Sequence, residues 1–497
     1  MKDKPWYIIG FDVGTTSTKG SVLDSDLNII AGVQTEHRVD YLKPGFVEQN
    51  SNEWWEDIVK ITRDLSHKVP FDQVRAVGVS SMCPTVLPIS SSGEPLRPAI
   101  LYGIDNRAVE EIEFLNRALA TSAPNHIYTL FSSQSILPKL LWLKNNEPET
   151  FGQTYSFLTT SSFIVYRLTG ACTIDFFTAS AANLIDLGSS DWYQEGFEVS
   201  GVQLDQLPQL KWSGEVAGSV TRSASQETGL PEGIPVTVGS CDAAAEAVVC
   251  GCVSPGNAAV SLGGTTICVA CTNTPSHIPN LLVNTHAFPG LYIIGGATSS
   301  GGLLLEWFAQ NVLQEGIREL FERFSDLEYE PSQVVVLPYL NGARTPLNNP
   351  NAKGLFTGIT MDTTAKTLYT ALLEAVAIDL SLIVSEIEKS GLEINQLHVS
   401  GGGVRNALLL QIIAEVLEKE LVAVPPEYDA AAGSAVLSLL SCGEYPDIRK
   451  ITEKIPVFKR ISPTGQHQGH FASKKSTFLQ AYQTNIPIFD LISAPNI

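Results

Sequence analysis

Apolar and polar positions come in blocks that read alternately as strands and helices. Tyr7-Ile8-Ile9-Gly10-Phe11 is an apolar run that ends at Asp12, and after Val13-Gly14-Thr15-Thr16-Ser17-Thr18-Lys19 the chain becomes apolar again through Val22-Leu23. This predicts two buried strands joined by a tight turn, with a third strand near Ile29-Ile30. Asn50-Ser51-Asn52-Glu53 has the residue types of a helix start with a capping glutamate, and Trp54, Ile58, Ile61 and Leu65 then recur at helical spacing. Val74 to Ser80 reads as the next strand. Strands alternating with helices predict an α/β domain with a mixed sheet.

The same layout returns about half the chain later. Ala258 to Leu262 is strand-like, Gly263-Gly264-Thr265-Thr266 is a turn, and Ile267 to Ala270 is strand-like again. Two copies of a strand, Gly-Thr-Thr, strand unit point to two homologous halves facing each other. Just before the second copy, a strand from Glu232 to Ser240 runs into Cys241-Asp242-Ala243-Ala244-Ala245-Glu246, so Asp242 falls at a helix N-terminus. There it reads either as a reactive carboxylate or as a helix cap. The turn-rich stretch Cys250 to Asn257 marks the boundary. Thr364 to Glu388 is a long helical pattern. His398-Val399-Ser400 leads into Gly401-Gly402-Gly403-Val404-Arg405-Asn406, where glycines open a helix and allow close approach of a ligand. Beyond about Lys459 periodicity fades. The expected division is 1–252, 253–460 and a C-terminal tail at 461–497.

The turns carry the chemistry. Gly14, Thr15, Thr16 and Lys19 offer backbone N–H groups, hydroxyls and an ammonium, which together suit a phosphate. Asp12 is delivered by its strand to hold Mg2+ beside that phosphate. No GxxxxGK[ST] string is present, so this is not a P-loop. Two such hairpins would clamp a phosphate chain between them; the bland alternative is a pair of ordinary tight turns, with Asp12 a satisfied polar residue.

Charge narrows the partners. With 32 Lys and Arg against 52 Asp and Glu the chain carries a net charge of −20. That excludes nucleic acid and anionic membranes as expected partners and leaves ATP open, because amides, one lysine and Mg2+ make a phosphate site locally positive. Met1-Lys2-Asp3-Lys4 opens onto a short strand rather than a signal peptide, and no uncharged apolar stretch of about 18 residues is present. The eight cysteines are scattered. Cys268-Val269-Ala270-Cys271 is nominally a CxxC but has no matching pair, so free thiols in a reducing cytoplasm are expected rather than zinc.

In order along nearly the whole chain, these motifs resemble the FGGY carbohydrate kinases. Asp12 to Lys19 is similar to their first phosphate motif, Gly263-Gly264-Thr265-Thr266 to the second, and Gly401 to Asn406 to the adenosine motif. Pro138 to Leu143 and Gly301 to Phe308 also have counterparts, and Leu337 to Pro346 looks most like the xylulokinase branch. The resemblance implies a two-domain actin-like ATPase (ribonuclease H-like) fold with an interdomain cleft, and a cytoplasmic enzyme that is commonly a homodimer. It implies ATP held by Asp12, Gly14, Thr15, Thr16, Lys19, Gly264, Thr265, Thr266, Gly302, Glu306, Gly402, Gly403 and Asn406, with Mg2+ at Asp12 and Asp242. Gly239-Ser240-Cys241-Asp242 is similar to the Gly-x-x-Asp segment that ends in the catalytic base, so Asp242 would take the proton of a sugar hydroxyl. The implied sugar contacts are Met82, Cys83, Asp105, Arg107 and Asp242.

Three departures leave the sugar open. Cys83 stands where xylulokinase-like members have histidine, Gly103 where they have tryptophan two residues before Asp105, and Ala243 where Asn or Gln often follows the aspartate. A pentulose such as xylulose is the first candidate, beside ribulose, sugar acids such as gluconate, and polyols. The competing class is an actin-like ATP-binding protein without sugar kinase activity, in which Asp242 has no polyol to serve.

Overall fold

The structure is a computed structural model, and it describes residues 6–443 and 447–493. Two mixed sheets organise it, and they are built alike. In the first, strand Tyr7–Val13 pairs antiparallel with Ser17–Asp24 and parallel with Val74–Ser81. In the second, Asn257–Leu262 pairs antiparallel with Thr266–Thr272 and parallel with Gln396–Ser400. Each hairpin is continued on its outer side by a further antiparallel strand, Ile29–Glu36 and Tyr292–Ala297. The repeat expected from the two Gly-Thr-Thr turns is therefore a repeat of topology.

Each sheet is covered by the helices its sequence specifies. Helix Ser51–Ser66 buries Trp54, Ile58, Ile61 and Leu65 against the first sheet, and Asn50 caps it by accepting from the Asn52 N–H. Glu53 sits in the first turn without completing a reciprocal cap. Helix Ala365–Lys389 is capped reciprocally by Thr364 and Thr367 and runs through the second core. It is long and apolar enough to cross a membrane by length and composition, but it is largely buried inside the domain, with Glu374 and Asp379 along it.

Helix Ala430–Ser438, from the second half of the sequence, packs on strands Tyr7–Val13 and Val74–Ser81 of the first sheet. Small residues make this possible. A Cβ on Gly10 would lie 1.9 Å from the Ala431 carbonyl oxygen, and one on Gly78 would lie 1.9 Å from that of Ser434. The Ser434 hydroxyl donates to the Phe11 carbonyl at 3.1 Å.

The stretch set apart as a tail from 461 onward folds differently from that expectation. Lys459–Ile461 adds a strand to the second sheet. Gln468–Ser493 is a helix that buries Phe471, Phe478, Tyr482 and Phe489 in the second core. These aromatics stand at helical spacing, but charged and polar residues dilute them and Pro487 interrupts the pattern.

Candidate active site

The first hairpin, the helix from Asp242 and the helix from Ala430 bring four carboxylates and one ammonium together. Asp12 stands near the end of its strand, across from Lys19 in register, and accepts from the Ser80 hydroxyl at 2.9 Å. Its carboxyl is pushed up to about 8, first by burial and then by the charge of Asp242. Such a site gains when a divalent cation replaces the proton, because the cation offsets both buried charges. No group of three or more His, Cys, Asp or Glu side chains forms a closed cage among the described residues. The donor set of one or two carboxylates therefore fits Mg2+, which keeps waters and substrate oxygens in its shell, better than it fits a cation needing an all-protein cage.

Asp242 is the first residue of helix Asp242–Val249, and Cys241 holds the cap position without a side-chain cap bond. The Cys241 thiol and the Ala243 N–H donate to Asp242 Oδ1 at 3.0 and 2.7 Å. Burial raises the Asp242 carboxyl, and these two donors oppose the rise. Lys19 donates to Asp429 Oδ2 at 2.9 Å, while Asp429 Oδ1 caps the helix that starts at Ala430. Glu246, one turn after Asp242, is pushed up to about 7 by burial and by Asp242, and shares a small cavity with Ser261 on strand Asn257–Leu262 of the second hairpin. Reading the sequence missed Glu246, because it lies in an alanine run that signals only a helix.

A cavity of about 670 Å³ opens beside the second hairpin. Gly264, Thr266, Gly302, Glu306, Gly402, Gly403 and Asn406 line it together. The glycines let backbone approach backbone: a Cβ on Gly302 would lie 2.9 Å from the Gly263 oxygen. Thr266 Oγ1 is fully buried behind the cavity wall with no hydrogen-bond partner among the described residues. Ile317, Arg318, Phe321, Val376 and Leu409 supply an apolar wall with a cation at its edge, which suits a flat base. These residues read as ordinary core or surface helix in the sequence. Thr265 belongs to the same turn but is not part of the cavity wall.

Gly14, Thr15 and Thr16 form the other turn. The Gly14 N–H donates to the Ser17 carbonyl, the Thr15 hydroxyl bonds Tyr102 at 2.7 Å, and Gln49 donates to the Thr15 carbonyl. Thr16 is exposed.

A second cavity of about 590 Å³ lies between the two halves. Cys83, Cys241 and Ala243 line it from one side and Asn341, Arg344 and Asn348 from the other. Met82 is buried in the first core and lies behind this wall.

Asp105 and Arg107 are placed differently from the expectation that they contact a sugar. Asp105 is fully buried and accepts from the Val47 N–H at 2.7 Å, and Arg107 grips it through Nε and Nη2. Arg107 also pairs with Glu48 at 2.7 Å and stacks on Phe46 and Trp142. Their hydrogen-bonding capacity is spent inside the domain, and neither residue lines the cleft cavity.

Comparison with known proteins agrees with this architecture. Residues 7–250 match the FGGY family of carbohydrate kinases, N-terminal domain, and residues 258–442 match its C-terminal domain. A xylulose kinase of Escherichia coli (strain K12) is 26% identical over 97% of this chain and 99% of its own. A gluconokinase of Bacillus subtilis is 23% identical over 97% of this chain and 94% of its own. The crystal structure of a xylulose kinase from Rhodospirillum rubrum superposes with a TM-score of 0.88 at 25% identity, covering 97% of this chain and 99% of that one. Two sheets of repeated topology facing a cleft, and family matches across both halves, show that this chain belongs to the FGGY carbohydrate kinases and has their actin-like fold.

Proposed function

We propose that this kinase transfers the γ-phosphoryl group of ATP to a hydroxyl of a small open-chain sugar or polyol, with a pentulose such as xylulose as first candidate and Asp242 as general base. The observation that carries the reading is Asp242 itself. It is a half-buried carboxylate at a helix start, anchored through Oδ1 by two donors, beside Asp12 and between Cys241 and Ala243, which line the cleft cavity. Asp242 takes the hydroxyl proton as the sugar oxygen bonds to phosphorus and the bond to the ADP oxygen breaks. Lys19 and the hairpin N–H groups hold the phosphates, and the cavity lined by Gly402, Gly403 and Asn406 holds the adenosine. Bound Mg2+ at Asp12 and Asp242 supplies charge neutralisation for the transferring group. The xylulose kinase relatives support the pentulose.

One observation favours a second acceptor class. Arg344 is the only charged side chain in the wall of the cleft cavity, it is exposed there, and it forms no ion pair among the described residues. A sugar acid would supply the missing anion. A coupled ADP-release screen across ketoses, sugar acids and polyols decides between them, with Asp242→Asn alongside. We expect turnover on a pentulose and a loss on the order of 10²–10⁴-fold in kcat for Asp242→Asn, with ATP and sugar binding retained. Turnover on sugar acids alone, abolished by Arg344→Leu, would establish the second class. Near-normal kcat in Asp242→Asn would overturn the base assignment.

A further inference from the structure

Two thiols in the cleft cavity have no part in phosphoryl transfer. Cys241 pairs in register with Ser81, the last residue of strand Val74–Ser81, and Cys83 follows two residues later. Both side chains line the same cavity. Cys83 packs against the same buried cluster as Cys241, and the Cys241 S–H donates to Asp242 Oδ1 at 3.0 Å. The result is a chain from the cavity to the base: Cys83, Cys241, Asp242. Cys83 is half-buried, while Cys241 is buried.

We propose that Cys83 and Cys241 form an oxidation site, converted by a peroxide to a disulfide that silences the kinase until a thiol reductant restores the pair. The step balances in two stages. The Cys83 thiol attacks the peroxide, the O–O bond breaks, and Cys83 becomes a sulfenic acid while the peroxide leaves as alcohol or water. Cys241 sulfur then attacks the Cys83 sulfur, the S–O bond breaks, and water leaves carrying the Cys241 proton. The Asp242 carboxylate accepts from the Cys241 S–H, so the thiol pair lies directly against the base. The disulfide removes one of the two donors on Asp242 Oδ1 and draws the strand end toward the helix start, since the sulfurs must close to about 2.05 Å. The loss of activity rests on Asp242 being the base; the chemistry of the thiol pair does not.

The test uses the full chain, reduced and then treated with hydrogen peroxide, with and without later dithiothreitol. Peptide mapping is expected to show a Cys83–Cys241 crosslink, and kcat is expected to fall on the order of 10²-fold, as for a misplaced catalytic group, and to return with reductant. Cys83→Ser, compared with its own untreated activity, is expected to lose nothing on treatment. A map without that crosslink overturns the proposal, as does a complete crosslink with unchanged kcat, or equal inactivation of Cys83→Ser. Failure of the base assignment is read separately, from normal kcat in untreated Asp242→Asn.

Discussion

Lys19 and Asp429 meet at 2.9 Å although 410 residues separate them. Lys19 lies on the first hairpin, and Asp429 caps the helix that the second half lays across the first sheet. Burial works against the Lys19 charge, and Asp429 more than offsets it, so the ammonium is held firmly protonated. Both side chains are partly exposed, at 39% and 27%, so the pair adds at most about 1 kcal/mol to stability. Its value lies in presenting a fixed cation beside Asp12. Lys19→Met is expected to raise the KM for ATP roughly 10–100-fold, the worth of a lost charge-assisted hydrogen bond, with little change in Tm. Steady-state kinetics beside thermal unfolding checks this. A large Tm loss with unchanged ATP KM would make Lys19 a structural residue.

Arg107 is expected to behave in the opposite way. It sits buried between Asp105, Glu48, Phe46 and Trp142. Arg107→Leu leaves the fully buried Asp105 without its cation, while Glu48 keeps Arg97, and is expected to cost about 3–5 kcal/mol. The protein that remains folded should keep its sugar KM. Denaturant unfolding and the KM measured on one preparation decide it. Unchanged stability with a raised sugar KM would return Arg107 to the sugar site.

The contrast between these residues shows what the sequence makes legible. The hairpins were readable because their signal is local: an apolar run, a turn of Gly and Thr, and a second run specify strand, turn and strand within a few residues. Asp242 was readable because a strand running into alanines fixes a helix start. Asp105 and Arg107 carry the same polar groups whether they face a ligand or each other, and only the packing of Phe46 and Trp142 decides between these. The apolar wall at Ile317 and Phe321 follows the same rule, since an apolar face on a short helix reads as core. Glu246 was invisible because its place beside Asp242 and Ser261 depends on how the helix packs against the second sheet.

The C-terminal helix provides a test of stability. Lys474 on this helix pairs with Glu374 of the long central helix, and Tyr329 and His470 complete the shell of Glu374. Burial would raise the Glu374 carboxyl, but the His470 bond and Lys474 hold it below its ordinary 4.5. Lys474 is also lowered, from 10.5, because burial outweighs the attraction of Glu374. The two shifts act in opposite senses on stability, and Glu374 governs the acid range because it alone of the pair titrates there. A carboxyl depressed in the fold adds stability that is complete above about 4.5 and is lost as pH falls through the folded value. Lys474→Met strands the buried carboxylate and is expected to cost about 3–5 kcal/mol at neutral pH. That cost should shrink as pH falls, because burial raises the unpaired Glu374 carboxyl, which becomes neutral and no longer needs the cation. Urea midpoints for both proteins across this range measure it. A gap that stays constant or widens on acidification would show that Lys474 acts through packing of its stem, and that the helix from Gln468 is held by Phe471, Phe478, Tyr482 and Phe489 alone.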